Sequence, residues 1–129
     1  MKTHQMKKLH PAMGLMGFLG FMGVLGFTFN QPSFCTFFAF FGFFSWFWWA
    51  KLSNEPWDER LIANRLRATN KAFSLCFGIV FIGIVLVASL PGFQETGFAL
   101  HVLISIVSLG FAAGLVLTSY LTNKYDQED

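Results

Sequence analysis

Residues 33–50 read SFCTFFAFFGFFSWFWWA, eighteen residues without a Lys, Arg, Asp or Glu. A run of that length and apolarity suits the ~30 Å hydrocarbon core of a bilayer, which an α-helix of about 20 residues crosses. Working outward, three more such runs follow the same rule: 12–29 (AMGLMGFLGFMGVLGFTF), 72–90 (AFSLCFGIVFIGIVLVASL) and 98–121. Backbone groups in lipid must find internal partners, and none of the runs alternates like a barrel strand, so all four are predicted helices. The expected fold class is all-α. It is an integral membrane four-helix bundle of two helical hairpins, forming a single transmembrane domain over residues 1–129. As α-helices the first two spans reach roughly 27 Å, just enough to cross with little tilt.

Composition agrees. Of 129 residues 54% are hydrophobic and 12% charged, half the ~25% of a soluble domain. That charge cannot coat a globule, and 18 phenylalanines exclude intrinsic disorder. The length leaves no room for a catalytic domain beside the membrane unit.

All nine Lys and Arg residues fall before span one, between spans two and three, or after span four. The connectors Asn30-Gln31-Pro32 and 91–97 contain none. The positive-inside rule then predicts both termini and the middle loop in the cytoplasm, a multi-pass cell-membrane protein. A signal peptide is not expected at the first run, because no small-x-small cleavage site follows it and bulky Phe34 precedes Cys35.

The first hairpin has an unusual period. Gly14, Gly17, Gly20, Gly23 and Gly26 recur every three residues, as do Thr36, Ala39, Gly42 and Ser45, with Phe doublets between. On an α-helix such positions form a slanted ridge, and small residues there let another backbone approach closely. The expectation is that the two small rows face one another while the Phe rings turn outward or onto other helices. Five glycines, each weakening a helix by about 1 kcal/mol, predict some malleability in span one. In span four Gly110 and Gly114, with Ser105, Ser108 and Ala112, make a second contact surface, for span three or for another copy in a homo-oligomer.

Residues 51–71, KLSNEPWDERLIANRLRATNK, are the one sizeable polar segment. Ser53 or Asn54 as cap and Pro56 in the first turn predict an amphipathic cytoplasmic helix over about 55–69. It lies on the membrane surface or runs straight into span three. Its stripe is Trp57, Leu61, Ile62 and Leu66. Five basic against three acidic residues leave +2, attractive to anionic headgroups. Trp57, Arg60, Arg65 and Arg67 are the candidate docking residues for a cytoplasmic protein partner; nucleic acid is not an expected partner. Trp46, Trp48 and Trp49, with Tyr120 and Tyr125, read as an interfacial aromatic belt.

Intramembrane chemistry is sparse. His101, with Glu95 in the outer loop, is a candidate polar membrane site; His4 and His10 lie at the other end of the molecule. Cys35 and Cys76 fall at opposite depths, which excludes a disulfide. No hydrolase elbow, metalloprotease, phosphate-loop or paired-carboxylate motif occurs within the spans, so neither an enzyme, a cofactor nor a metal is expected.

The GFLGF-type glycine repeat, the FFGFFSWFWW run and Asp58-Glu59-Arg60 resemble the small four-span membrane proteins of unknown function common in Gram-positive bacteria. That resemblance implies an accessory role beside a small cytoplasmic regulator or a peptide-export system, and it carries no catalytic residue. Three functions remain open on sequence: an accessory or regulatory partner-binding protein, an immunity-type protein against membrane-active peptides, and a small multidrug-type transporter. The last lacks a carboxylate in any span.

Overall fold

The computed structural model describes residues 8–128; Lys2, His4 and Lys7 lie outside the described residues. Four helices are long and apolar enough to cross a membrane: α1 (Pro11–Thr28), α2 (Pro32–Leu52), α3 (Glu59–Ser89) and α4 (Ala99–Glu128). The described residues are helical apart from short connections.

The first hairpin departs from the expected α geometry. Pro11–Gly23 of α1 and Pro32–Phe44 of α2 wind as 3-10 helices of 13 residues each, and only their last turns relax to α. Dihedrals at the transitions, such as φ −60° and ψ −22° at Phe44, sit in the 3-10 range. Such runs seldom exceed a few residues, because i→i+3 bonds are poorly aligned. Here the sequence period equals the helix period. With 3.0 residues per turn, positions three apart eclipse one another, so a three-residue repeat becomes straight columns instead of a slanted ridge. The ~2.0 Å rise also lengthens α1 to about 33 Å, where an α-helix of 18 residues would reach about 27 Å.

α2 therefore has three columns. Phe38, Phe41, Phe44 and Phe47 stack in one, with centroids 6.0–6.3 Å apart and planes within 21°. Phe34, Phe37, Phe40 and Phe43 stack in a second at 5.4–5.9 Å. Both spacings match the ~6 Å pitch of a 3-10 helix. The third column is Thr36, Ala39, Gly42 and Ser45.

The glycine column of α1 faces the first Phe column, contrary to the expectation that the small rows meet. A Cβ added at Gly14, Gly17, Gly20 or Gly23 would lie 2.7–2.9 Å from the ring of Phe47, Phe44, Phe41 or Phe38 respectively, and at Gly26 it would strike Cys35 Sγ. The register is strictly antiparallel about the turn. Flat rings fill the space that absent side chains leave, which two small rows could not do without a void. Phe18 and Phe21 close the seam edge-on against Phe44 and Phe41. The small column of α2 instead meets α4, where Gly42 lies against Ala112 and Leu115.

The turn is built by Asn30 at φ 54°, a left-handed conformation Asn tolerates. The Gln31 N–H donates to Gly26 O at 2.9 Å, the long bond of a Schellman cap. At the same end of the molecule Pro91 and Gly92 (φ 72°) turn the chain out of α3.

Packing runs α1–α2–α4–α3, an open row rather than a closed bundle. The cause is α1, whose one slender face is its glycine column; Leu15, Phe18, Phe21 and Val24 on another column are exposed. Gly110 meets Val80 and Gly114 meets Phe73, so the small residues of α4 serve α3 of the same chain.

Candidate functional site

The basic residues gather where α3 and α4 outrun the membrane. At 31 and 30 residues these helices measure about 46 and 45 Å, roughly 15 Å more than the hydrocarbon core. The segment between spans two and three forms no separate helix. Ser53 and Asn54 form a turn, residues 55–58 are non-helical, and α3 starts at Glu59 after Asp58, whose Oδ1 accepts the Leu61 N–H at 2.8 Å. The cap thus falls four or five residues later than the sequence signal suggested, because Asp58 places a carboxylate at the positive helix end. The Ser53 hydroxyl is used otherwise: it donates to Ala50 O and accepts the Leu9 N–H, tying the N-terminal segment to the end of α2.

α3 splits the expected apolar stripe. Leu61, Asn64, Ala68, Ala72 and Cys76 are buried at 3–4 residue spacing, and Ala68 and Ala72 form a core with Leu121 and Tyr125 of α4. Ile62 and Leu66, one turn apart, are exposed, Leu66 at 61%.

The candidate docking residues are brought together at this end, each held by the chain itself. Arg60 Nη2 pairs with Asp126 Oδ1 at 3.2 Å. Arg67 lies 4.8 Å above the Tyr125 ring. Arg65 lies between two indoles, 5.1 Å from Trp49 and 5.6 Å from Trp57. Stacking leaves the edge of the Arg65 guanidinium free, and it forms no ion pair among the described residues. Trp48 and Tyr120 meet edge-on in the same belt.

At the opposite end the structure does not join His101 to Glu95. His101 is buried beside Phe27 and Phe98, with Nδ1 3.0 Å from Gly97 O, whereas Glu95 is exposed in the short turn Phe93–Glu95. The two form no ion pair, and among the described residues no cluster of three or more His, Cys, Asp or Glu could hold a metal ion. His10 caps α1, its Nδ1 accepting the Ala12 N–H at 3.2 Å. Cys35 and Cys76 are buried free thiols.

Against this geometry, a family model described as predicted membrane protein (DUF2178) matches residues 7–125. The chain belongs to that family. The family description names no activity. No curated protein and no solved structure matches the chain.

In this DUF2178 chain several buried or paired residues escaped the sequence reading. Asn64, inside the polar segment 51–71, is buried with Nδ2 unpaired among the described residues. Asp126 carried no signal, since its partner Arg60 is 66 residues away in sequence. The hydroxyls of Ser105, Thr118 and Thr122 each donate to the carbonyl four residues back, at 2.7 Å, which lets α4 bury polar residues in an apolar setting.

Proposed function

We propose that this chain is a non-enzymatic accessory protein of the cell membrane, with both termini in the cytoplasm, that holds a cytoplasmic protein on the projecting end of α3 and α4. The observation that carries the reading is the exposed pair Ile62 and Leu66 on the part of α3 that extends beyond the apolar span. Apolar side chains one turn apart on a rigid helix are the anchors by which a helix enters a partner's groove. Arg60 and Arg65 beside them supply positive charge for an acidic rim, steering encounter more than adding affinity. The orientation rests on the basic residues: Lys8, Lys51, Arg60, Arg65, Arg67, Lys71 and Lys124 share one end.

The test is site-specific photo-crosslinking from position 66 in cells, with the wild-type chain and the Ile62→Asn, Leu66→Gln double variant as competitors. A discrete adduct that wild type displaces and the double variant does not supports the reading. Equal displacement by both overturns it. Arg60, Arg65 and Arg67 are poorer probes, since each also braces the fold.

A further inference from the structure

We propose that a groove between α2 and α4 binds one anionic phospholipid of the leaflet at the basic end, its acyl chain along Gly42, Phe43, Phe111 and Leu115 and its phosphate at Arg65. The groove has a volume of about 350 Å³ and an almost wholly apolar lining that runs from Ala39 to Trp49. That volume lies within the ~300–1,000 Å³ range of small-molecule sites.

Depth selects the occupant. Ala39 is the seventh of the eighteen residues of the apolar stretch 33–50, and Trp49 is the seventeenth, two residues before Lys51. Measured along α2 the interval is roughly 18 Å. One leaflet's share of the hydrocarbon core is about 15 Å, so the groove spans the leaflet at the basic end, the depth of one acyl chain, and closes just past the midplane. Trp49 forms its last wall, and the Arg65 guanidinium lies over that same ring. The mouth therefore carries a cation whose N–H edge is open, with the planar fork that matches a phosphate.

Trp46 supplies an independent observation. It lines the groove, and its indole N–H is buried without an acceptor among the described residues. A buried unpaired donor is costly; lipid chains offer no acceptor, and a Phe ring offers only a weak N–H···π contact. An ester carbonyl at the head of an acyl chain is a full acceptor, reached when the indole turns its N–H edge into the groove. Three features in order along the groove (an apolar trough, a lone donor, a stacked arginine) match chain, ester and phosphate in order along a phospholipid. The trough itself lies apart from Ile62 and Leu66, and Arg65 is the one residue this site shares with the rim of that partner surface, so the Ile62→Asn, Leu66→Gln variant leaves lipid retention unchanged.

The experiment uses the full chain in detergent micelles and reads native mass spectra with added phosphatidylglycerol, phosphatidylcholine or inorganic phosphate. The expected result is one retained phosphatidylglycerol, at least tenfold preferred over phosphatidylcholine, with the preference lost in Arg65→Gln. Trp46→Phe weakens retention of ester-linked phosphatidylglycerol severalfold but leaves the ether-linked analogue unchanged, a distinction that a general loss of structure would not produce. Circular dichroism of both variants checks the fold, and Ala39→Phe, which plugs the trough, abolishes retention with Arg65 intact. Equal retention of the two lipids, unchanged selectivity in Arg65→Gln, or displacement of the lipid by millimolar phosphate each overturns the proposal.

Discussion

Replacing Gly20 by Ala places one methyl group in the tightest part of the hairpin. The new Cβ would lie 2.7 Å from Phe41 Cγ and 2.8 Å from Cδ1 and Cδ2. Carbon atoms rest at about 3.5–4.0 Å, so ring and backbone must separate by about 1 Å. Phe41 cannot swing aside, because Phe38 and Phe44 hold it in the stack at 6.1 and 6.0 Å. The helices must move apart instead, and overpacking of this kind costs about 1–3 kcal/mol. Gly78 is the matched control. Nothing lies within 4 Å of a Cβ there, so Gly78→Ala gains only helix propensity, up to about 1 kcal/mol. Reversible unfolding in mixed micelles by a denaturing detergent, followed by circular dichroism, should place Gly20→Ala at least about 1 kcal/mol below Gly78→Ala. The pair Gly17→Ala, Gly20→Ala should cost less than the sum of its parts, since one rigid shift of α1 relieves both contacts. A Gly20→Ala protein as stable as Gly78→Ala would refute the glycine–phenylalanine seam.

Other expectations are more local. Asp58→Ala removes the cap on Leu61 N–H and should cost about 1 kcal/mol, while Ser53→Ala leaves the start of α3 protected in amide exchange. Asn30→Val forces a β-branched residue to φ 54° and should destabilise by about 1–2 kcal/mol, whereas Asn30→Gly should be neutral by the same unfolding assay. Both thiols should resist a water-soluble maleimide in the folded protein, Cys35 at 0% exposure for as long as Gly26 stays seated on it; labelling of Cys35 at the rate of a free thiol would show the hairpin open.

The spans and their pairing into hairpins were legible because membrane length and charge-free composition are properties of contiguous sequence. The period of three was equally visible. Its meaning was not, since an α-helix turns a three-residue repeat into a ridge and a 3-10 helix turns it into a column. The spacing that placed Gly20 and Gly42 in similar roles could not say that one meets a ring and the other meets α4. At the basic end the residue types were legible and their neighbours were not. Arg60 needed Asp126, and Arg65 needed Trp49, partners supplied only by the fold. Ser53 and Asp58 are both good caps, and only the path of the chain decides between them. His101 and Glu95 are six residues apart in sequence but end up in different surroundings, because the helix start turns the imidazole toward Phe27 and leaves the carboxylate outside.

Residues 11–23 and 32–44 wind with three residues per turn. Solid-state NMR of the uniformly 15N-labelled chain in aligned bilayers measures this through the periodicity of amide dipolar couplings along each span. The expected result is a period of 3.0 residues through Pro11–Gly23 and Pro32–Phe44, changing to 3.6 in α3 and α4. A period of 3.6 throughout the first hairpin would contradict it.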